Sequence, residues 1–433
     1  MTLAGNLFLL SVSYLVGMSV LYQIMLIFGM TGIRFSFASI GTVMLVLSCS
    51  LLFFVRKREN DERLNFQICT PKSSQRCSQG LFLLVFSLVV FNIFWVFFIG
   101  FLSPICGWDT LATIIFKAKI FFYERSLHYL ENLPHPRYPL QIPFSVCWYA
   151  MAGGQWDDQA YALLNLLCYF VSFLSGIFIF LRYQGMNYCQ ALLGLALLLS
   201  SNFLLAHLIG FYSDFPLACY NMFVFLSLFL WYREKNLGWL VLAAFLSGAS
   251  GCVKLEGMIY SGIHLASLFF ILLRHPNRSR SFRECFKYAA LFLGIVFAMT
   301  GPFFLYKLIA LGSADLSGGT FNLSSLKLCI PTFVKVFFIL RAIFLNLFLS
   351  GNWNIIWFLF ILSIVPVSRK SQPLEVLTLL FSLGLFFMIV ILGFSTSQFY
   401  HDAAFGFDPL SRIILHFFPL VPLCIIMVDY QID

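Results

Sequence analysis

Ionisable side chains are scarce in this sequence, so the few that interrupt its apolar runs carry most of the chemical information. Asp109, Asp214, Lys254, Glu256, Arg412 and His416 are the ones that matter most, in a chain of 433 residues of which only 10% are charged. A carboxylate held at a bilayer surface can act as a general base, because partial desolvation and nearby cations tune its pKa in opposite directions. Asp109 suits that role, and Asp214, followed by Phe215-Pro216-Leu217, is a second candidate catalytic acid. For both, the plain alternative is N-capping of the helix that follows. Lys254 and Glu256 interrupt an apolar region between Gly251 and Gly257. Ionisable groups at that depth are costly unless they are paired or face a polar cavity. Arg412 and His416 lie four apart, on one helix face. A guanidinium there offers forked donors to a phosphate, although an arginine snorkelling to the interface would have the same spacing.

A second concentration of polar residues runs from Gly107-Trp108-Asp109-Thr110 through Lys117-Ala118-Lys119 to His135-Pro136-Arg137-Tyr138-Pro139-Leu140. From Trp108 to Tyr123 the apolar residues Leu111, Ile114, Ile115, Ala118, Phe121 and Phe122 recur at helical spacing, which predicts an interfacial helix with Lys117 and Lys119 on its polar side. The three prolines between His135 and Pro143 forbid a regular helix and favour a stiff extended segment. Such a segment serves as the wall of a site or as a rigid return to the membrane. Lys117, Lys119, His135, Arg137 and Tyr138 are therefore candidate substrate- or phosphate-binding residues, together with Lys254, Glu256, Arg412 and His416.

The elements that must position these residues follow from composition. A chain that is 61% hydrophobic and 18% aromatic, with a mean hydropathy of +0.90, cannot hide its apolar surface in one water-soluble core. It reads as an all-α polytopic membrane protein. The net charge of +9 falls in short clusters between apolar spans, which argues for the positive-inside bias and against nucleic acid as a partner. The twelve cysteines show no CxxC pair or metal-ligand spacing and read as small apolar residues. His128, His207 and His401 form no recognised zinc pattern, which leaves a divalent metal open but weakly supported. The Asn322-Leu323-Ser324 sequon is weak evidence by itself. The first apolar segment lacks a basic leader and is expected to be a retained helix.

Apolar spans fall near 5–28, 35–55, 80–103, 159–182, 188–210, 215–232, 237–252, 257–273, 286–310, 353–368, 375–394 and 412–428, about twelve in all. The stretch 140–152 is too short to cross, and 327–350 carries Lys327, Lys335 and Arg341, so it reads as interfacial. Basic loops at Arg56, Lys57, Arg58, Arg63, Lys72 and Arg76 and at Arg274, Arg278, Arg280, Arg283 and Lys287 are expected on the cytoplasmic side, as are Arg182, Arg233, Lys235, Arg369 and Lys370. Both termini are then cytoplasmic. The loop 104–158, the Tyr212-Ser213-Asp214 turn, the Lys254-Leu255-Glu256 turn and the loop 395–411 share the outer face. No internal repeat of the inverted-transporter kind is visible.

Taken in order, these motifs resemble the integral-membrane glycosyltransferases of the GT-C fold, in the bacterial branch related to dolichyl-phosphate-mannose protein mannosyltransferases and aminoarabinose transferases. The resemblance rests on Trp108-Asp109 with Lys117-Ala118-Lys119, His135-Pro136 with Tyr138-Pro139-Leu140, and Asp214-Phe215-Pro216-Leu217-Ala218. It continues in Lys254 with Glu256-Gly257, Asn352-Trp353-Asn354, and Ser411-Arg412 with His416 and Pro419. It implies a single domain over 1–433 with juxtamembrane helices in the first outer loop, in a bacterial inner membrane with its site on the periplasmic face. It also implies transfer of a sugar from a polyprenyl-phosphate donor to a glycan, lipid or protein acceptor, commonly with inversion. Asp109 matches the family's base and Asp214 its second acidic position. Trp108, Tyr138 and Trp353 become candidates to stack on the sugar. Thr110 stands where many relatives carry a second acid, and Leu255 where relatives often carry a polar residue.

Two other classes fit the composition. A transporter or lipid-linked-sugar flippase would place ionisable residues near mid-membrane in paired broken helices, whereas these acids lie at span ends. A noncatalytic assembly subunit would be indifferent to Asp109→Asn and Arg412→Ala.

Overall fold

The structure is a computed structural model and describes residues 3–58, 78–105, 107–274, 282–310, 333–365, 373–396, 400–406 and 408–432. Every regular element among them is helical. The chain runs through α1 (Leu3–Thr31), α2 (Phe37–Arg58), α3 (Gln79–Leu102), a π-helical segment (Thr110–Ile115), α4 (Phe116–Glu124), α5 (Gln141–Gly153) and α6 (Ala160–Tyr183). It continues with α7 (Tyr188–Leu199), α8 (Asn202–Ile209), α9 (Asp214–Glu234), α10 (Leu237–Val253), α11 (Glu256–Arg274) and α12 (Phe282–Ala310). The last elements are α13 (Phe333–Phe348), α14 (Ile356–Ile364), α15 (Leu374–Thr396), α16 (Asp408–Leu415) and α17 (Leu420–Ile432).

Among the described residues, seven helices are long and apolar enough to cross a membrane, or nine if the bent pairs α7–α8 and α16–α17 each make one span. This replaces the expected count of about twelve. The difference lies in three short elements: the apolar part of α2 is Phe37–Ser50, α10 is 17 residues and α14 is 9, against the ~20 that a straight crossing needs. The α7–α8 pair turns by 72° where Ser201 leaves the helix and caps the next one by accepting from Leu204 N. The expected non-spanning stretch 140–152 is the 13-residue α5. Of the basic-loop residues, Arg63, Lys72, Arg76, Arg278, Arg280, Arg369 and Lys370 lie outside the described residues, as do Lys327, Cys106 and the Asn322 sequon. Among the described residues seven cysteines are free thiols, but Cys189 is disulfide-bonded and so departs from the small-apolar role expected of the cysteines.

The centre of the bundle is α9. Its apolar window is 94% buried against 17% for α3, so α9 is surrounded by protein while α3 presents Leu83, Phe91 and Phe101 outward. A helix apolar on all sides is stable only when wholly enclosed or facing lipid. α9 is enclosed by α10 and by contacts from α6, α8, α11 and α16. Its first residue, Asp214, is therefore delivered to the middle of one end of the bundle, and that placement builds the site.

Candidate functional site

Asp214 opens α9 with its side chain fully buried. It does not act as the N-cap; Ser213 occupies that position without a capping side-chain bond. Three cationic or neutral donors converge on the carboxylate instead. Lys254 Nζ lies 2.8 Å from Oδ1, His416 Nε2 lies 2.8 Å from the same oxygen, and Arg412 reaches Oδ2 with Nη2 at 3.1 Å and Nε at 3.3 Å. A buried carboxylate is tolerable only with such full pairing.

Each donor is set by its own local structure. Lys254 terminates α10 in an extended conformation, φ −153° and ψ 149°, and the chain turns at once into α11 through Gly257 N donating to Lys254 O. That turn packs so tightly that a Cβ on Gly257 would lie 2.2 Å from the Ser250 carbonyl oxygen, which accounts for the glycine. Glu256 closes the turn at 3.5 Å from Lys254 Nζ. Arg412 rides on α16, whose Ser411 accepts from Asn346 Nδ2 at 2.5 Å and from Asn352 Nδ2 at 3.1 Å. His416 lies at the break between α16 and α17, a bend of 52°. Its Nδ1 pairs with the hydroxyl of Tyr260 on α11 at 2.7 Å. With Nε2–H donating to Asp214 and Nδ1 accepting from Tyr260, both ring nitrogens are satisfied by a neutral imidazole.

Asp109 completes the site from the first loop. It caps nothing; its Oδ2 meets Arg412 Nη1 at 2.6 Å, and its side chain is 42% exposed where that of Asp214 is 0%. Thr110 is fully buried and donates to Gly210 O at 2.8 Å, stitching the loop to the turn before α9. The ring of Tyr212 lies under the Arg412 guanidinium at 5.2 Å.

Asp109, Asp214, Lys254, Glu256, Arg412 and His416, drawn from four separate stretches of sequence, are thus one bonded cluster. Tyr138 stands at its edge. Burial pushes its phenol above the ordinary value, with Glu256 and Asp109 adding to the rise and Lys254 and Arg412 opposing it. His135 stacks on the Tyr138 ring at 4.8 Å, in a left-handed conformation with φ 50°. Arg137 is half-buried in the same segment.

Three expectations change. Lys117 is not on the polar side of its helix but buried, with Nζ donating to His135 O at 2.7 Å. The apolar face itself is as expected, with Ile114, Ile115, Ala118, Phe121 and Phe122 buried; Lys117 sits next to that face and is covered by the segment whose His135 carbonyl accepts from it. Lys119 points elsewhere, pairing with Asp158 at 3.3 Å beside a groove of about 370 Å³ that Pro104, Leu111, Ile115 and Phe116 also line. Trp353 is no surface for a sugar: it is 1% exposed, donates to Asn346 Oδ1 and packs on Phe418 at 4.7 Å. Trp108, at 77% exposed, remains open to contact.

Sequence reasoning missed Tyr260, and placed Tyr212 only in the outer-face turn beside Asp214 without a role of its own. Tyrosines in a chain with 54 phenylalanines and 18 tyrosines carry no pattern that marks them out. Among the described residues no three His, Cys, Asp or Glu side chains converge as a metal-ligand set, and the oxygens of Asp214 are already taken by cationic and imidazole donors. The exposed edge of the cluster, Asp109 with Arg412 and Tyr138, can take a proton and hold an anion side by side. Comparison with protein-family models, curated proteins and solved structures gives no match for this chain.

Proposed function

We propose that this membrane protein is a glycosyltransferase of the GT-C kind that moves a sugar from a polyprenyl phosphate to an acceptor on the outer face of the membrane. The observation that carries the reading is the shared guanidinium: Arg412 is fixed from below by buried Asp214 and meets half-exposed Asp109 from above. One residue suited to phosphate and one suited to proton removal are thereby held within contact distance at the end of a helix bundle. Lys254 and the Tyr138 hydroxyl border the same place.

The chemistry balances with these groups. The acceptor oxygen forms a bond to the anomeric carbon as the bond from that carbon to the phosphate oxygen breaks. The electron pair stays on the polyprenyl phosphate, whose growing charge Arg412 and Lys254 stabilise. The acceptor proton passes to the Asp109 carboxylate. Asp214 is the anchor of both cations and does not itself receive the proton, since its oxygens are spent on them. The donor phosphate stays tethered to a lipid, which suits a site at the end of the spans.

The test is mass spectrometry of surface glycans and lipid-linked sugars in cells carrying the intact gene, a deletion, or Asp109→Asn. Loss of one sugar mass from a surface glycan, with its polyprenyl-linked donor accumulating in both defective strains, is the expected result. Unchanged glycans with normal donor levels would reject the transferase in favour of a transporter or an assembly subunit.

A further inference from the structure

The cluster as it stands is not an empty anion site. Three carboxylates, Asp109, Asp214 and Glu256, face two permanent cations, Lys254 and Arg412. With His416 neutral between Asp214 and Tyr260, the carboxylates of the cluster outnumber its cations, and both cations are already paired. Every bond that Arg412 makes in the cluster is to a carboxylate. The two carboxylates differ sharply, however. Asp214 is the first residue of the enclosed α9, is inaccessible to solvent, and has Lys254 and His416 as further partners. Asp109 follows Gly107 and Trp108, is 42% exposed, and among the described residues is held in the cluster by Arg412 Nη1.

We propose that Asp109 occupies the phosphate position in the resting protein, and that the lipid phosphate must replace it on Nη1 of Arg412. This deepens the transferase reading and rests on it. The exchange leaves the Nε and Nη2 contacts with Asp214 in place, so the guanidinium keeps its orientation while one donor changes partner. A phosphate oxygen satisfies that donor as well as a carboxylate does. The displaced Asp109 loses its partner, and its carboxylate is free to accept a proton next to the sugar that has just arrived. Donor binding thereby switches on the group that deprotonates the acceptor, and the order is donor first, acceptor second. A free carboxylate before donor binding would instead be available to stray protons and water.

The exchange has a counter-intuitive consequence that a merely structural ion pair lacks: removing the acid should improve phosphate binding. The probe is farnesyl phosphate, a polyprenyl phosphate without sugar, titrated into the full chain in detergent micelles. Asp109→Asn is expected to bind it about 2- to 5-fold more tightly than wild type, in line with the modest strength of a half-exposed competing pair. Asp109→Glu, which keeps the competing charge, should bind as wild type does. Arg412→Gln should lose binding. Glu131→Gln, which removes an exposed carboxylate of the same loop outside the cluster, controls for overall charge; a gain equal to that of Asp109→Asn would overturn the exchange. Binding by Asp109→Asn that is unchanged or weaker would also overturn it, while leaving the phosphate site intact. Absence of binding by wild type and all variants, or equal binding by Arg412→Gln, would overturn the site reading and the exchange together. Asp109→Ser repeats the measurement should the asparagine variant fail to fold.

Discussion

The hydroxyl of Thr110 donates to the carbonyl of Gly210 at 2.8 Å and lies 3.3 Å from that of Phe211. The turn that carries Asp109 is thereby fastened to the turn that leads into Asp214. Two carbonyl oxygens facing a buried position exclude a carboxylate there, which accounts for the absence of a second acid beside Asp109. Thr110→Val should cost about 1 kcal/mol for the lost bond and lower activity by misplacing Asp109. Thr110→Asp should be far worse, since an anion would be buried against acceptors with no donor. Thermal melting and transfer assays on the two variants check the order, and an active, stable Thr110→Asp would refute it.

Asp109 and Asp214 share one arginine but should fail in opposite ways. Removing the buried partner of two cations leaves them uncompensated, an effect of about 3–5 kcal/mol. Asp214→Ala is therefore expected to lower the melting temperature strongly and to abolish activity through loss of fold. Asp109→Asn removes a half-exposed pair, whose worth is about 0–1 kcal/mol, so it should melt close to wild type while transfer is lost. Comparable melting of the two variants would show that the hub at Asp214 is not what holds this end of the bundle.

Much of this site was legible in the sequence, because ionisation is expensive in an apolar chain. Asp109, Asp214, Lys254, Glu256, Arg412 and His416 announce themselves by type alone, and each proves to be a member of the cluster. Their pairing was not legible. Arg412 and Asp214 are 198 residues apart, and only the packing of α16 against α9 decides that they meet. The apolar face of the loop helix was legible at Ala118, Phe121 and Phe122, but Lys117 is buried beside it because the distant segment at His135 folds over its ammonium, a contact that no local period reveals. The helical class followed from composition, yet the span count did not, since α10 and α14 are apolar without being long enough and α7–α8 bends at Ser201.

The chain of Tyr260, His416 and Asp214 has direction, and that can be tested. Tyr260 supplies the proton that fixes the tautomer of His416, and His416 supplies the proton that Asp214 accepts. Tyr260→Phe removes only the outer link and is expected to reduce activity by less than ~10-fold, since one neutral hydrogen bond contributes about 0.5–1.5 kcal/mol. His416→Ala removes the donor to a buried carboxylate and should cost more in both stability and activity. His416→Gln retains an N–H donor and should recover part of the loss. If glutamine were no better than alanine, the role of His416 would be packing against the Tyr260 ring and not orientation of Asp214.

Lys117 predicts a pH dependence that is independent of the cluster. Burial pushes its ammonium down from the ordinary 10.5 to about 7, so between those values the unfolded chain holds a proton that the folded one does not. Stability must then rise with pH across this window. The cost of burying Lys117 is fully present below pH 7 and is relieved as pH climbs toward 10.5, with a limiting slope of about 1.4 kcal/mol per pH unit for this one group. Lys117→Met keeps most of the side-chain volume and removes the titration. The expected result is that wild type gains on Lys117→Met in thermal melts taken at successive pH values from 7 upward. Parallel melting curves for the two proteins would mean that Lys117 stays charged, held by the His135 carbonyl that accepts its Nζ at 2.7 Å.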